Sequence, residues 1–115
     1  MAVYEVEDSR EFEAWRDSLS EAERESVLAG ILMLEQRGPA VGYPFAARVP
    51  SRHQNLRELR VRHEARERRY LIFFAIDPRD VVILLNGGDP TGDYRFYERF
   101  VPEAERIYDD HLRQI

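Results

Sequence analysis

Three apolar segments joined by short polar connections constrain this chain more than any other feature. Leu56 to Arg62 alternates, Arg69 to Ile76 is apolar at almost every position, and Val81 to Leu85 is a run of five apolar residues. Alternation with period two describes a strand with one buried face, so Leu59 and Val61 share one side and Glu58, Arg60 and Arg62 the other. A strand apolar on both sides belongs in the middle of a sheet. His63 to Arg68 reads as a polar turn, and Asp77-Pro78-Arg79-Asp80 as a turn with proline at a favoured position. The three segments therefore form an antiparallel meander.

The flanking regions supply a fourth strand and the helices. Tyr4 and Val6 alternate with Glu5 and Glu7, which predicts a short edge strand from Val3 to Val6. Asp8 and Glu11 have capping-box spacing and lead into Phe12, Trp15 and Leu19 on one face of a first helix of about ten residues. Ser20 and Glu23 repeat that spacing ahead of Val27, Leu28, Ile31, Leu32 and Leu34, and Gly38-Pro39 stops this second helix. Pro39 to Gln54 carries three prolines (Pro39, Pro44 and Pro50) and reads as a long, stiff connection. It is either a functional loop or a surface wrap with Tyr43 and Phe45 tucked into the core. Gly87 to Gly92 is a breaker cluster, after which Asp93 caps a C-terminal helical region with Ala104, Ile107, Tyr108 and Leu112 on one face. Pro102 is expected to break or restart that helix. The resulting fold class is α+β, a four-stranded sheet with helices on one side.

At 115 residues the chain is expected to be one domain, 1–115, with room for a single modest core. Its 43% hydrophobic and 34% charged residues describe a globular protein with a heavily charged surface. It has no cysteine, which excludes disulfides and thiolate metal sites and fits a reducing compartment. Early acids at Glu5, Glu7 and Asp8 are unlike a signal peptide, and the longest apolar run, Tyr70 to Ile76, is too short to span a bilayer. A cytoplasmic protein without membrane association is the expectation.

The net charge of −5 is unevenly placed. Between Arg48 and Arg69 stand eight arginines and three glutamates, so an acidic body carries a basic stripe. No lysine occurs among the 17 basic residues, a bias that codon usage explains more simply than function. Nucleophile-elbow, P-loop, zinc-protease and dinucleotide signatures are absent, and His53, His63 and His111 lack metal-ligand spacing, so no metal or cofactor is expected.

The stripe is what remains. Arg57, Arg60, Arg62, Arg66, Arg68 and Arg69 fall on two adjacent strands and their turn, and Glu58, Arg60 and Arg62 follow one another on one face at about 7 Å spacing. Such a face can hold a phosphodiester by bidentate hydrogen bonds. It can also support cleavage: a base removes a 2′-hydroxyl proton while guanidinium groups stabilise the charge on the phosphorane. Equally, it can be a solvated surface in which Glu58 pairs with an arginine. Tyr94, Phe96 and Tyr97 flank Arg95; Phe96 reads as core, and Tyr94 and Tyr97 are open to base stacking or packing.

Several stretches resemble the RelE/HigB-like toxins of type II toxin–antitoxin systems, in their phage-derived branch. They are Val41-Gly-Tyr-Pro-Phe45, Ser51-Arg-His-Gln-Asn-Leu-Arg-Glu-Leu-Arg60, Tyr70-Leu-Ile-Phe-Phe-Ala-Ile-Asp-Pro78, Val81-Val-Ile-Leu-Leu-Asn-Gly-Gly-Asp89, Val101-Pro102 with Ala104, and Tyr108-Asp-Asp-His-Leu112. The resemblance implies a RelE-type fold and a metal-independent, ribosome-dependent mRNA endonuclease. It implies as partners a cognate antitoxin from the adjacent gene, often a helix-turn-helix protein, the message and the ribosome, with DNA reached only through the antitoxin. Glu58 and Arg60 match the family's Glu-Leu-Arg motif and, with Arg69, are the implied catalytic group. Asp89 matches the family's Gly-Gly-Asp motif and, with His53, Arg57, Arg62, Tyr94, Arg95 and Tyr97, is an expected RNA contact. Many relatives carry arginine where this chain has Leu71, and lysine where it has Pro90; Arg69, one pleat repeat away, faces the same side as Leu71. Relatives of the ParE type share the fold and poison gyrase by binding, so a non-nuclease or degenerate binder is the alternative expectation.

Overall fold

The computed structural model describes residues 3–63 and 68–115. In chain order it contains β1 (Val6–Asp8), α1 (Arg10–Asp17), α2 (Glu21–Arg37), a single 3-10 turn (Gly38–Ala40), β2 (Ala46–Arg48), β3 (Arg57–His63), β4 (Arg68–Ile76), β5 (Val82–Gly88) and α3 (Phe96–Arg113). The sheet order is β1-β5-β4-β3-β2, so the doubly apolar β4 is the middle strand. β3, β4 and β5 form the expected antiparallel meander. The body of the polar turn expected at His63 to Arg68 lies outside the described residues, as do Arg66 and the side chain of Arg68.

The sheet has five strands rather than four. The extra one, β2, lies in the stretch expected to be a connection and pairs antiparallel with β3, Ala46 opposite Leu59 and Arg48 opposite Arg57. Three residues, Ala-Ala-Arg, carry too little hydrophobic pattern to be seen without their partner. The N-terminal strand falls at Val6–Asp8 rather than Val3–Val6 and runs parallel to β5. Val3 and Tyr4 instead donate their N–H groups to the carbonyl of Glu35, near the end of α2, at 2.9 and 2.8 Å.

Helices cover both faces of the sheet, not one. Phe12 of α1 and Val27, Ile31 and Leu34 of α2 share one core with Leu59, Ile72, Phe74 and Leu84. Phe96, Ala104, Ile107 and Tyr108 of α3 share a second core, on the opposite face, with Leu71, Phe73, Ala75, Ile83 and Leu85. Odd and even residues of β4 point to opposite faces, so a strand apolar at every position requires two apolar layers.

Local signals held with small displacements. The N-cap of α1 is Ser9 rather than Asp8, its Oγ accepting from the N–H of Phe12 at 3.0 Å, while Asp8 pairs with Arg16 at 2.7 Å. Ser20 and Glu23 form the reciprocal capping box, and Gly38 caps the end of α2. Asp93 does not cap α3; the helix begins at Phe96, and Asp93 Oδ1 accepts from the N–H of Arg95 in the preceding turn. Pro102 neither breaks nor restarts α3, which continues to Arg113. The carbonyl that loses its partner belongs to Glu98, and both Glu98 and Pro102 are exposed.

Gly87 and Gly88, expected as part of a breaker cluster, complete β5. A Cβ on Gly87 would lie 2.7 Å from Trp15, and one on Gly88 2.8 Å from Phe100. The pair lets α1 and α3 approach the strand from opposite sides. A β-bulge just before it, where Phe73 pairs with Asn86 and Phe74 with Leu84, leaves Leu85 as the extra residue. Leu85 thus joins the α3 core while Asn86 also reaches α3, donating to the Phe100 carbonyl at 3.1 Å and to Glu103 at 2.8 Å.

Candidate functional site

On the α3 face of the sheet, β3 presents Glu58, Arg60 and Arg62 in sequence, and β4 places Phe73, Leu71 and Arg69 directly opposite them. The first turn of α3 lays Tyr97 over the Glu58 end. Its ring meets Phe73 and Phe96 edge-on, with centroids 6.1 and 5.9 Å away, and its hydroxyl donates to Glu58 Oε1 at 2.7 Å. Arg60 Nε donates to Glu58 Oε2 at 3.0 Å. Glu58 is only 4% exposed, and both of its oxygens are engaged. A buried carboxylate oxygen left without a partner is costly.

This carboxylate organises two groups above it. Its hydrogen bond raises the pKa of the Arg60 guanidinium, which remains a fixed cation. Burial, then the bond and charge of Glu58, push the Tyr97 hydroxyl up to about 12, so its proton stays in place at neutral pH. The Arg60 guanidinium also stands 5.7 Å from the centroid of the Tyr43 ring, which is 83% exposed. Arg60 is therefore held from below by Glu58 and from the side by an aromatic face.

Further along the strands the electrostatics change sign. Arg62 and Arg69 are exposed and directly opposite one another. Among the described residues neither joins an ion pair. Like charges directly opposed across a strand pair are destabilising, and an anion laid between them removes that cost. Arg60, Arg62 and Arg69 together line a groove of about 460 Å³ that continues past Tyr43 and Phe45 to α2.

The other expected contacts are distributed. Tyr94, 92% exposed, and Arg95, whose guanidinium lies 5.7 Å from the Tyr94 ring, stand in the turn leading to Tyr97. Asp89 closes the preceding turn by accepting from the N–H of Thr91 at 2.9 Å. Arg57 has the opposite facing on β3 and donates to the Pro39 carbonyl at 3.0 Å. His53 meets Asp109 of α3 at 2.7 Å and the Tyr108 ring edge-on, away from Glu58. Phe96 is core, as expected. Tyr43 and Phe45 are not tucked in, and Tyr43 is the residue the sequence reading missed at the site. Its only signal was an aromatic between Gly42 and Pro44 in a segment with no apolar period.

A small α+β fold thus carries a basic, aromatic-edged sheet face with a buried carboxylate beneath it. Residues 14–109 match the family described as "Phage derived protein Gp49-like (DUF891)", and the chain belongs to that family. It is similar to "Putative toxin HigB2" of Mycobacterium tuberculosis, 35% identical over 109 residues, covering 93% of this chain and 54% of the relative. It is also similar to "Putative toxin HigB3" of the same organism, 35% identical over 102 residues, covering 87% of this chain and 86% of the relative. The chain thus spans about half the length of the first relative and most of the second. Among the described residues no helix is long and apolar enough to cross a membrane.

Proposed function

We propose that this protein is the toxin of a toxin–antitoxin pair and cleaves translated mRNA on the ribosome without a metal, until a cognate antitoxin from the adjacent gene neutralises it. The observation that carries this reading is the Glu58–Arg60–Tyr97 constellation beside the facing cations Arg62 and Arg69. The names of the two relatives support the toxin assignment.

In the proposed reaction the 2′-hydroxyl of the message attacks the adjacent phosphorus and the bond to the 5′-oxygen breaks, leaving a 2′,3′-cyclic phosphate while the 5′-oxygen departs with the bonding electron pair and takes a proton from water. The 2′-hydroxyl proton passes to the Tyr97 oxygen as the Tyr97 proton passes to Glu58, which serves as the base through that relay. Arg60, with Arg69 and Arg62, bears the charge that develops on the phosphorane oxygens. Tyr94, Tyr43 and Arg95 offer faces for unpaired bases. Asp89 acts by shaping the turn that carries Tyr94, and His53 and Arg57 by fixing the segments around β3. The acidic body provides no general attraction for RNA, so binding depends on the local stripe. DNA is reached only through the antitoxin.

The test is inducible expression with and without the neighbouring gene, following growth and primer extension on a reporter message. Growth arrest with new cuts inside translated message, both lost in a folded Arg60→Ala variant, is the expected result. One observation favours a second reading as a gyrase poison or antitoxin-binding regulator: both Glu58 oxygens are already occupied. Arrest accompanied by DNA damage with intact message selects that reading.

A further inference from the structure

The groove beside Arg60 departs from the charge of the rest of the chain. The protein holds 22 acids against 17 arginines. Yet of the eleven described residues that line this groove, three are arginine and none is acidic. Arg60, Arg62 and Arg69 supply the charge. Ala29, Gly30 and Met33 of α2 form an uncharged wall. At Gly30, where a Cβ would come within 3.0 Å of Val61, α2 lies close on β3. Ser26, about one helical turn earlier, adds a hydroxyl to that wall, hydrogen-bonded to Nδ1 of His63 at 2.8 Å.

Two exposed aromatic rings complete the lining. Tyr43 stands against the Arg60 guanidinium, and Phe45, 47% exposed, follows two residues later. Folding gains little from aromatic rings left in water beside cations. Arg62 and Arg69 lie one pleat repeat, about 7 Å, from Arg60 along the strands. They can therefore take a phosphate next to the one that Arg60 holds. The base attached to that phosphate finds the aromatic pair and the uncharged wall in the same groove. The volume of about 460 Å³ falls in the ordinary range of small-molecule sites, roughly 300–1,000 Å³.

We propose that this groove is a nucleotide subsite beside the cleavage position: Arg62 and Arg69 take a phosphate of the single-stranded message next to the scissile one, and the attached base lies against Tyr43 and the Ala29–Met33 wall of α2. The inference rests on the nuclease reading for the identity of the strand, and it deepens that reading by giving α2 a part in holding the message. Complementarity selects this occupant. An inorganic anion uses the arginines alone and leaves the aromatic rings wet. An apolar peptide segment uses the rings and leaves three cations without a counter-charge. A nucleotide carries an anion and an aromatic plane in one unit, and every base has a π-face to stack. The Ser26 hydroxyl, donor and acceptor alike, suits any base edge.

The experiment uses the whole chain and a 2′-deoxy trinucleotide, which lacks the attacking hydroxyl and stays intact, beside its fully abasic counterpart. Binding is read by chemical-shift changes at the methyl groups of Ala29 and Met33. The expected result is saturable binding of the trinucleotide with both methyls shifted. The abasic strand should bind about tenfold more weakly or worse and leave the methyls unmoved. Tyr43→Ala should weaken the trinucleotide about tenfold and leave the abasic strand nearly unchanged. Ala29→Trp, at an exposed helix position, fills the groove while keeping every cation and should act in the same way, with unfolding still cooperative. Equal affinity for the two strands, unmoved methyls with the trinucleotide, or a Tyr43→Ala loss shared by both strands overturns the proposal. Methyl shifts produced by an acidic peptide but not by the trinucleotide overturn it in favour of a protein ligand. Message cleaved by Ala29→Trp at the wild-type rate and positions would sink the subsite and leave the nuclease standing. Base-dependent binding in the groove with message intact in expressing cells would keep the subsite and sink the nuclease.

Discussion

Arg52 and Arg79 reach acids held on other elements, whereas Arg62 and Arg69 face each other across β3 and β4. Arg52 and His53, in the loop before β3, converge on Asp109 of α3, and Ser51 donates to Glu105 of the same helix at 2.7 Å. Arg79 joins Asp77 at 2.7 Å and Glu7 of β1 at 3.3 Å, while His111 of α3 meets Asp77 at 2.8 Å. These networks tie the C-terminal half of α3 to the rest of the molecule. A helix clamped at that end holds its first turn, and so Tyr97, in register over Glu58. The same residue type does opposite work in the two regions: paired arginines position the helix, and facing arginines leave a charge for something else to satisfy.

The paired region is also where pKa values fall. Burial alone would raise Asp77, but hydrogen bonds from His111 and Arg79, with two backbone N–H donors, bring it down to about 2. Arg52 first, then His53, hold Asp109 at about 2. A carboxylate whose pKa is lower folded than unfolded adds stability above its unfolded value, and that contribution is lost as pH falls through the folded value. The clamp is therefore complete above about pH 4 and released between about pH 4 and 2.

The contrast can be broken at either end. On the nuclease reading, Tyr97→Phe should reduce message cleavage about 100-fold and cost about 2 kcal/mol of unfolding stability by leaving a buried Glu58 oxygen unpaired; an unchanged cleavage rate would remove Tyr97 from the relay. Asp77→Asn should cost about 2 kcal/mol at neutral pH, measured by urea unfolding, with the gap to wild type closing as pH falls from 4 toward 2. A gap independent of pH would mean that packing, not charge, holds this corner. Arg69→Glu should do the opposite for stability, adding about 0.5 kcal/mol by replacing a repulsive cross-strand pair with an attractive one. It should simultaneously weaken single-stranded RNA binding and flatten its logarithmic salt dependence by about 0.7. A loss of both stability and binding would show that the facing arginines are not in conflict.

Much of this was readable in the chain. The alternation of Leu56 to Arg62 placed Glu58, Arg60 and Arg62 on one face, and the doubly apolar β4 belonged at the centre of the sheet. The capping box of Ser20 and Glu23 is local chemistry and was legible for that reason. The invisible parts depend on distant partners. β2 exists because Phe45 and Ala46 meet β3, and α3 survives Pro102 because its apolar face is buried against the sheet while Pro102 itself lies on the exposed side.

By itself the sequence determined the strands of the meander, the helix starts to within a few residues, and the side of β3 on which the charges stand, because strand and helix periods are local properties of the backbone. Only the tertiary structure decided that helices cover both faces, that Tyr97, 39 residues from Glu58, becomes its hydrogen-bond donor, and that Tyr43 stands over Arg60 rather than in the core. Those outcomes follow from which surfaces find each other when two apolar layers close on one sheet. No period along the chain encodes that.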